Sequence, residues 1–247
     1  MKLEKGSVNF GNRRISFLIN RSNRRRTISI FVDPYEGIFI RAPIEASIQT
    51  LSKLVHSKAI WILNKSKQLQ EIKGFLIKKE FINGETFFYL GKQLRLKIVG
   101  SKKISNSVIK IKQGRFVVNL NSRLSGKKKI SAIRKGLISW YKKHAKNILL
   151  KRVEIYSGKI GISLPGILVV SQTKRWGSCS SRGIIRFNWN IVLAPMSLVD
   201  YVVVHELCHL KYNNHSCEFW KLLGSIIPDY EQRKERLKKT GWQYIFK

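Results

Sequence analysis

The stretch Val202-Val203-Val204-His205-Glu206-Leu207-Cys208-His209-Leu210-Lys211-Tyr212-Asn213-Asn214-His215-Ser216 holds three of the five histidines in a chain of 247 residues. His205 and His209 are four apart. On a helix, at ~100° per residue, both imidazoles then share one face, one turn apart. Two neutral imidazoles at that spacing can hold one zinc ion, and Glu206 lies close enough to hold a water on it without being a ligand. This is the H-E-x-x-H pattern. A hydrolytic zinc takes three protein ligands and leaves a fourth position for water, whose pKa it lowers to roughly 7. A carboxylate beside it, here Glu206, acts as general base and then passes the proton to the leaving group. The third ligand is assigned to His215, six residues after His209, the spacing of the longer H-E-x-x-H-x-x-G-x-x-H motif. Where that motif has a glycine, this chain has Tyr212; Asn213 or Asn214 is expected to make the helix exit in a left-handed conformation.

The flanks support this reading. An apolar run over residues 201–204 leads into the motif, as expected of a buried helix, and Ser197 with Asp200 reads as a capping pair at its start. Downstream, Ser216 can cap a helix carrying Phe219, Trp220, Leu222, Leu223 and Ile226. Pro228 ends it, and Asp229 starts a last short helix with Tyr230, Arg233 and Leu237. Upstream, residues 167–170 and 184–193 read as two strands of a hairpin. Between them lies Lys174-Arg175-Trp176-Gly177-Ser178-Cys179-Ser180-Ser181. Arg175 is the candidate to stabilise developing negative charge or bind an anionic substrate group, with Trp176 as a substrate contact. The structural alternative packs Trp176, turns at Gly177 and pairs Arg175 with a carboxylate.

Three blocks carry a family resemblance: Arg175-Trp176-Gly177-Ser178-Cys179-Ser180; Asn188-Trp189 through Leu193-Ala194-Pro195; and Tyr201 through Leu210, continuing to Asn214-His215-Ser216, Phe219-Trp220 and Pro228-Asp229-Tyr230. With them the chain resembles the YgjP-like family of zinc metallopeptidases, relatives of the SprT-like and wider zincin groups. The resemblance is strong over the last eighty or so residues and weaker back to the N-terminus. It implies one zinc ion held by His205, His209 and His215, with Glu206 catalytic, in a metal-dependent hydrolase. In zincin-like folds a strand beside the active helix can pair with an extended peptide by β-strand addition, and the hairpin bearing Arg175 is the candidate.

Composition bounds the remaining choices. The chain has 43% hydrophobic and 11% aromatic residues, enough for a packed core. Three cysteines argue against a disulfide framework. The first residues lack the apolar core of a signal peptide, and no apolar run reaches the ~18 residues of a membrane span, so a cytoplasmic protein without a membrane partner is expected. The net charge is +34, from 48 Lys and Arg against 14 Asp and Glu. The basic residues are spread along the chain, which favours a basic surface over a dedicated module. Non-specific nucleic-acid contact is compatible with it.

The N-terminal half reads as β-rich. Ile15, Phe17 and Ile19 alternate, and residues 27–32 and 38–41 flank a Pro-Gly turn. A helix from Ser47 carries Ile48, Leu51, Leu54, Val55, Ala59, Ile62 and Leu63, with Trp61 on that face or its edge; Gly74 closes it. Asn83-Gly84 reads as the tip of a tight hairpin, Gly91-Lys92 as a further turn, and Gln113-Gly114 as the link of another strand pair. After a turn-rich stretch at 121–126, apolar residues from Ile130 to Val153 trace a long amphipathic helix, weakened slightly by Gly136. His56 and His144 are read as structural or solvated. The expectation is an α+β protein: a β-rich, mostly antiparallel region over 1–125 and a minimal zincin-like region over 126–247 with an H-E-x-x-H helix. The expected activity is zinc-dependent hydrolysis of a peptide or protein substrate. Two alternatives stay open: hydrolysis of a nucleoside triphosphate, though without a Gly-rich phosphate loop, and a nucleic-acid-associated protein whose structural zinc would need Cys179 as fourth ligand.

Overall fold

Each half of the chain begins with two β-hairpins whose inner strands pair in parallel. The computed structural model describes residues 4–33, 37–73, 79–102, 104, 107–172 and 175–246. It divides into two compact units, Met1–Ile77 and Lys78–Lys247.

In the first unit, β1 (Glu4–Phe10), β2 (Arg13–Arg21), β3 (Ser29–Asp33) and β4 (Gly37–Ala42) form a sheet in the order β1-β2-β4-β3. The outer pairs are antiparallel, but β2 and β4 run parallel, so the sheet is mixed and not the antiparallel one expected. The turns fix only the hairpins. The connection after β2 is long enough to bring β4 alongside it in the same direction. Alternation puts Ile15, Phe17 and Ile19 on the buried face, against α1 (Ile48–Ser57) and α2 (Ala59–Lys73). Ser47 caps α1 by accepting from the Thr50 N–H. The single helix expected here is two, broken at Lys58, which leaves helical geometry at φ −104° and ψ 10°. Trp61 is exposed rather than on the apolar face. His56 is exposed, with its ring edge-on to Phe10. The helix end expected at Gly74 lies outside the described residues.

The second unit repeats the sheet plan. Its β5 (Thr86–Tyr89), β6 (Lys92–Ser101), β7 (Val108–Lys112) and β8 (Arg115–Asn121) run in the order β5-β6-β8-β7, with β6 and β8 parallel. The hairpin tip is Leu90-Gly91, not Asn83-Gly84. Both tip residues have positive φ, 51° and 78°, the pair of values a two-residue turn of this hand requires. Asn83 instead accepts the Ile98 N–H on its side-chain oxygen. The tip is held from outside: Leu90 N–H donates to the Val192 carbonyl and Gly91 N–H to that of Leu193. A Cβ on Gly91 would lie 2.8 Å from Pro195 Cγ, so only glycine fits.

This sheet shares its core with the helices that follow. Phe87, Leu96, Phe116 and Val118 belong to the same buried cluster as Leu137, Tyr141, Val203 and Leu207. The division by contacts therefore falls at residue 77, not near 125 as the turn-rich stretch suggested. Long helix α3 (Gly126–Ile160) lays Ile133, Leu137, Tyr141, Ala145, Leu149 and Val153 along this core at four-residue spacing. Gly136 has a packing reason: a Cβ there would meet Ser107 Oγ at 2.7 Å. His144 is half-buried and stacked on Trp140, ring centroids 3.6 Å apart, rather than solvated.

A third sheet, in the order β10-β11-β9, comprises β9 (Ile167–Val170), β10 (Gly177–Cys179) and β11 (Ile185–Asn188). Here β9 and β11 are parallel, not the hairpin expected; the antiparallel partner of β11 is β10 itself, an edge strand. The chain after Asn188 turns into a 3₁₀ helix, Trp189–Leu193, where a continued strand was expected. Asn188 sets that change by accepting the Asn190 N–H on its side chain.

Helix α4 (Met196–Cys208) is buried on nearly every side, followed by α5 (Cys217–Ile226) and α6 (Tyr230–Thr240). Its N-cap is Pro195, with no side-chain cap. Asp200 does not pair with Ser197 as a cap. It is drawn instead into a two-pronged ion pair with Arg152 of α3, at 2.6 and 2.7 Å. Two charges leaving water need each other more than a helix end needs a cap. Among the described residues no helix is long and apolar enough to cross a membrane.

Candidate active site

His205 and Glu206 sit in the last turn of α4, and His209 is its C-cap, still in helical geometry. The exit uses no left-handed residue at Asn213 or Asn214. The only non-glycine residues with positive φ among those described are Phe81, Leu90 and Gln113. Instead the last turn tightens: Leu210 N–H donates to the Leu207 carbonyl, and both Lys211 and Tyr212 N–H to that of Cys208. These bonds satisfy the terminal carbonyls, so the left-handed turn is not needed. The chain then returns so that Ser216 caps α5, accepting from the Phe219 N–H. That return brings His215 back over α4.

The three histidines converge. One nitrogen of each of His205, His209 and His215 lies within 4.8 Å of the others. The Nε2 atoms of His205 and His215 are 3.2 Å apart. Two nitrogens bound to one tetrahedral zinc at 2.0–2.1 Å would be separated by about 3.3 Å, so the pair fits an ion between them. His209 Nδ1 is 3.1 Å from the Tyr212 carbonyl. A carbonyl can only accept, so Nδ1 carries the proton and Nε2 keeps its lone pair for a metal. His205 Nδ1 is buried without a hydrogen-bond partner among the described residues. Its ring is positioned by packing against Phe219 and Tyr201. His215 stacks on Trp220, which stacks in turn on Tyr230. Burial pushes the His205 pKa down to about 3, helped by His209, His215 and Lys234. Burial first, then His209 and Lys234, lowers His215 as well. Both imidazoles are therefore neutral, the state that ligates a metal.

Glu206 is buried beside them, and β10 crosses directly over it. A Cβ on Gly177 would lie 2.6 Å from both Cγ and Oε1 of Glu206. Position 177 must be glycine for the strand to approach the carboxylate this closely. Burial raises the Glu206 pKa to about 7, opposed by the positive charge of Arg175. A carboxylate so tuned can both take and return a proton near neutral pH.

Two clefts flank this contact, and His205, Glu206, Arg175 and Gly177 line both. One, of about 410 Å³, runs under Ser178, Cys179, Ser180 and Ser181 to His209 and Asn213. The other, of about 330 Å³, is closed by Trp176, Tyr201, Lys234 and Leu237, with Lys238 at its edge. Arg175 is exposed, and among the described residues it makes no carboxylate ion pair within 4.0 Å; its charge reaches Glu206 from further away. Trp176 is half-buried, with its ring against Gly241. The Asn188 amide holds the loop before β10 by donating to the Gln172 and Arg175 carbonyls. Cys179 is no part of the nitrogen cluster; its thiol points to the Ser180 carbonyl, and burial raises its pKa. The sequence reading missed Gly177, Tyr201, Lys234 and the Tyr212 carbonyl. Tyr201 had a readable signal, since it lies one helical turn before His205. The others are brought in by tertiary packing.

Comparison with known proteins gives one family and one solved structure to report. A family model described as "YgjP-like, metallopeptidase domain" matches residues 26–240. No curated protein matches the chain. Among solved structures, the metallopeptidase zymogen abylysin of Pyrococcus abyssi is 20% identical at a TM-score of 0.33, over 38% of this chain and 90% of that one. The family match spans most of the chain, including β10, all three histidines and Glu206: the protein belongs to the YgjP-like family and carries its metallopeptidase domain.

Proposed function

We propose that this metal-dependent hydrolase is a zinc peptidase, with His205, His209 and His215 as ligands and Glu206 as general base. The observation that carries this reading is the convergence of three imidazole nitrogens beside a buried carboxylate, under an edge strand. Bound zinc would supply Lewis acidity and lower the pKa of a coordinated water to roughly 7. Glu206 takes the proton and delivers it to the departing amine. The outer edge of β10 offers main-chain groups to an extended peptide, which would lie across both clefts with its reacting carbonyl near Glu206. Tyr201, whose hydroxyl burial pushes up to about 12, stays protonated in the cleft wall and can donate to an oxyanion. Arg175 contributes positive charge at the same place, and Trp176 an apolar wall.

A peptide substrate also fits β10 better than a nucleotide does, because the strand presents backbone donors and acceptors and no Gly-rich phosphate loop. A closed structural zinc would need a fourth protein ligand, and among the described residues the cluster has three histidines and no cysteine. The test is to offer the zinc-loaded protein a peptide library and, separately, nucleoside triphosphates. New peptide termini support the reading. Phosphate or pyrophosphate release with intact peptides would replace it with the nucleotide reading.

A further inference from the structure

The two clefts on either side of Glu206 differ in charge. The one beyond Cys179 adds Ser178, Ser180, Ser181 and Asn213, all neutral polar residues, to the shared Arg175, Glu206 and histidines. The one at the other end of β10 adds Lys234 and Lys238 to Arg175, and among the described residues its only carboxylate is Glu206. Lys234 is fixed there by the fold: its ammonium sits 4.3 Å from the centroid of Trp220, the ring stacked on His215. Lys234 and Lys238 are one turn apart on α6, with Leu237 between them on the cleft floor. Lys238 also meets Glu235 at 3.5 Å, an exposed pair at the rim, where water screens it. Glu235 does not line the cleft.

The direction of β10 converts this asymmetry into a side of the substrate. β10 runs from Gly177 to Cys179, with the cationic cleft at its N-terminal end and the neutral cleft at its C-terminal end. A peptide adding to this edge in the antiparallel sense, the more stable pairing, runs the opposite way. Its N-terminal part then lies in the neutral cleft and its C-terminal part in the cationic one. Resting on the peptidase reading above, we infer that Arg175, Lys234 and Lys238 form a carboxylate-recognition subsite for the residues just after the cut bond. The carboxylate can come from Asp or Glu side chains or from the end of a short peptide.

The test uses the full-length zinc-loaded protein and a library of peptides with free or amidated C-termini. Wild type should favour Asp or Glu over Lys or Arg in the first three positions after the cut by roughly four- to ninefold, the product of two partly screened pairs at about two- to threefold each. The preference should shrink at high salt. The double variant Lys234→Glu/Lys238→Glu should reverse it, while Lys142→Glu, on the exposed side of α3, should leave it unchanged. If amidation alone abolishes the preference, the chain end is the source; if acidic side chains retain it, they are. Cleavage without a charge preference, or a preference that survives the double reversal, overturns the inference. A binding arm keeps it separate from the peptidase reading. Acidic and basic hexapeptides are titrated into Glu206→Ala by fluorescence anisotropy, with no turnover required. If wild type cuts nothing, the peptidase reading fails. Equal binding of the two hexapeptides then overturns the subsite as well, whereas acid-selective binding lost on charge reversal supports it.

Discussion

Replacing Gly177 with alanine tests the contact on which the site geometry depends. The new Cβ would stand 2.6 Å from Glu206 Cγ and Oε1 and 2.8 Å from Cδ. An unstrained carbon–carbon contact needs about 3.5 Å, so strand and carboxylate must part by about 1 Å. The near side is a buried Glu206 methylene, which cannot swing away as a surface chain end would. Overpacking of this kind costs about 1–3 kcal/mol. In a unit of this size that lowers Tm by about 2–12 °C. A displacement of about 1 Å at a catalytic group costs on the order of 100-fold in rate. The ligand nitrogens are untouched, so metal content should stay at one ion per chain. The assay pairs thermal unfolding and metal analysis with the rate of peptide cleavage. Gly158→Ala is the control, because nothing lies within 4 Å of a Cβ there and α3 gains a better helix former. If Gly177→Ala kept wild-type rate and Tm, β10 could not lie against Glu206 as described, and the reasoning would be refuted.

Other perturbations separate the remaining parts. His205→Ala should lose the metal while keeping its helical circular dichroism; retention of a full equivalent would remove His205 from the ligand set. Trp220→Ala removes the ring under His215 and should weaken zinc affinity by about 10–100-fold, read by competition with a chelator. Arg152→Leu leaves Asp200 unpaired at the α3–α4 contact. Because the pair is partly solvated, the expected loss is about 2–3 kcal/mol in urea unfolding, below that of a fully buried pair. Gly91→Ala forces a side chain into φ +78° against Pro195, and a loss of about 1–3 kcal/mol should follow; an unchanged midpoint would show that the hairpin tip does not dock there.

The clustering of the candidate site was legible because its residues are local in sequence. His205, Glu206 and His209 fall within one helical turn, and His215 follows after six residues, so spacing alone places them together. What spacing could not give is whatever depends on how separate segments meet. Gly177 reads as a turn residue, yet its role is to let a strand pass over a carboxylate twenty-nine positions later in the chain. Asp200 reads as a cap because only α4 is visible locally; its partner Arg152 is on another helix. The parallel pairings of β2 with β4 and β6 with β8 are non-local and leave no mark on strand periodicity, which is why antiparallel sheets were expected. Asn83-Gly84 carries the residues of a hairpin turn, but the tip formed at Leu90-Gly91, where the Val192 and Leu193 carbonyls bind both N–H groups.

The central claim is that Glu206 activates water for peptide hydrolysis beside a three-histidine metal. Its most direct test is a parallel digest of a proteome-derived peptide library by zinc-loaded wild type and Glu206→Ala, read by mass spectrometry, with metal content measured in both. The account predicts one metal per chain in each and new peptide termini with wild type alone. Identical digests from two fully metal-loaded proteins would contradict it.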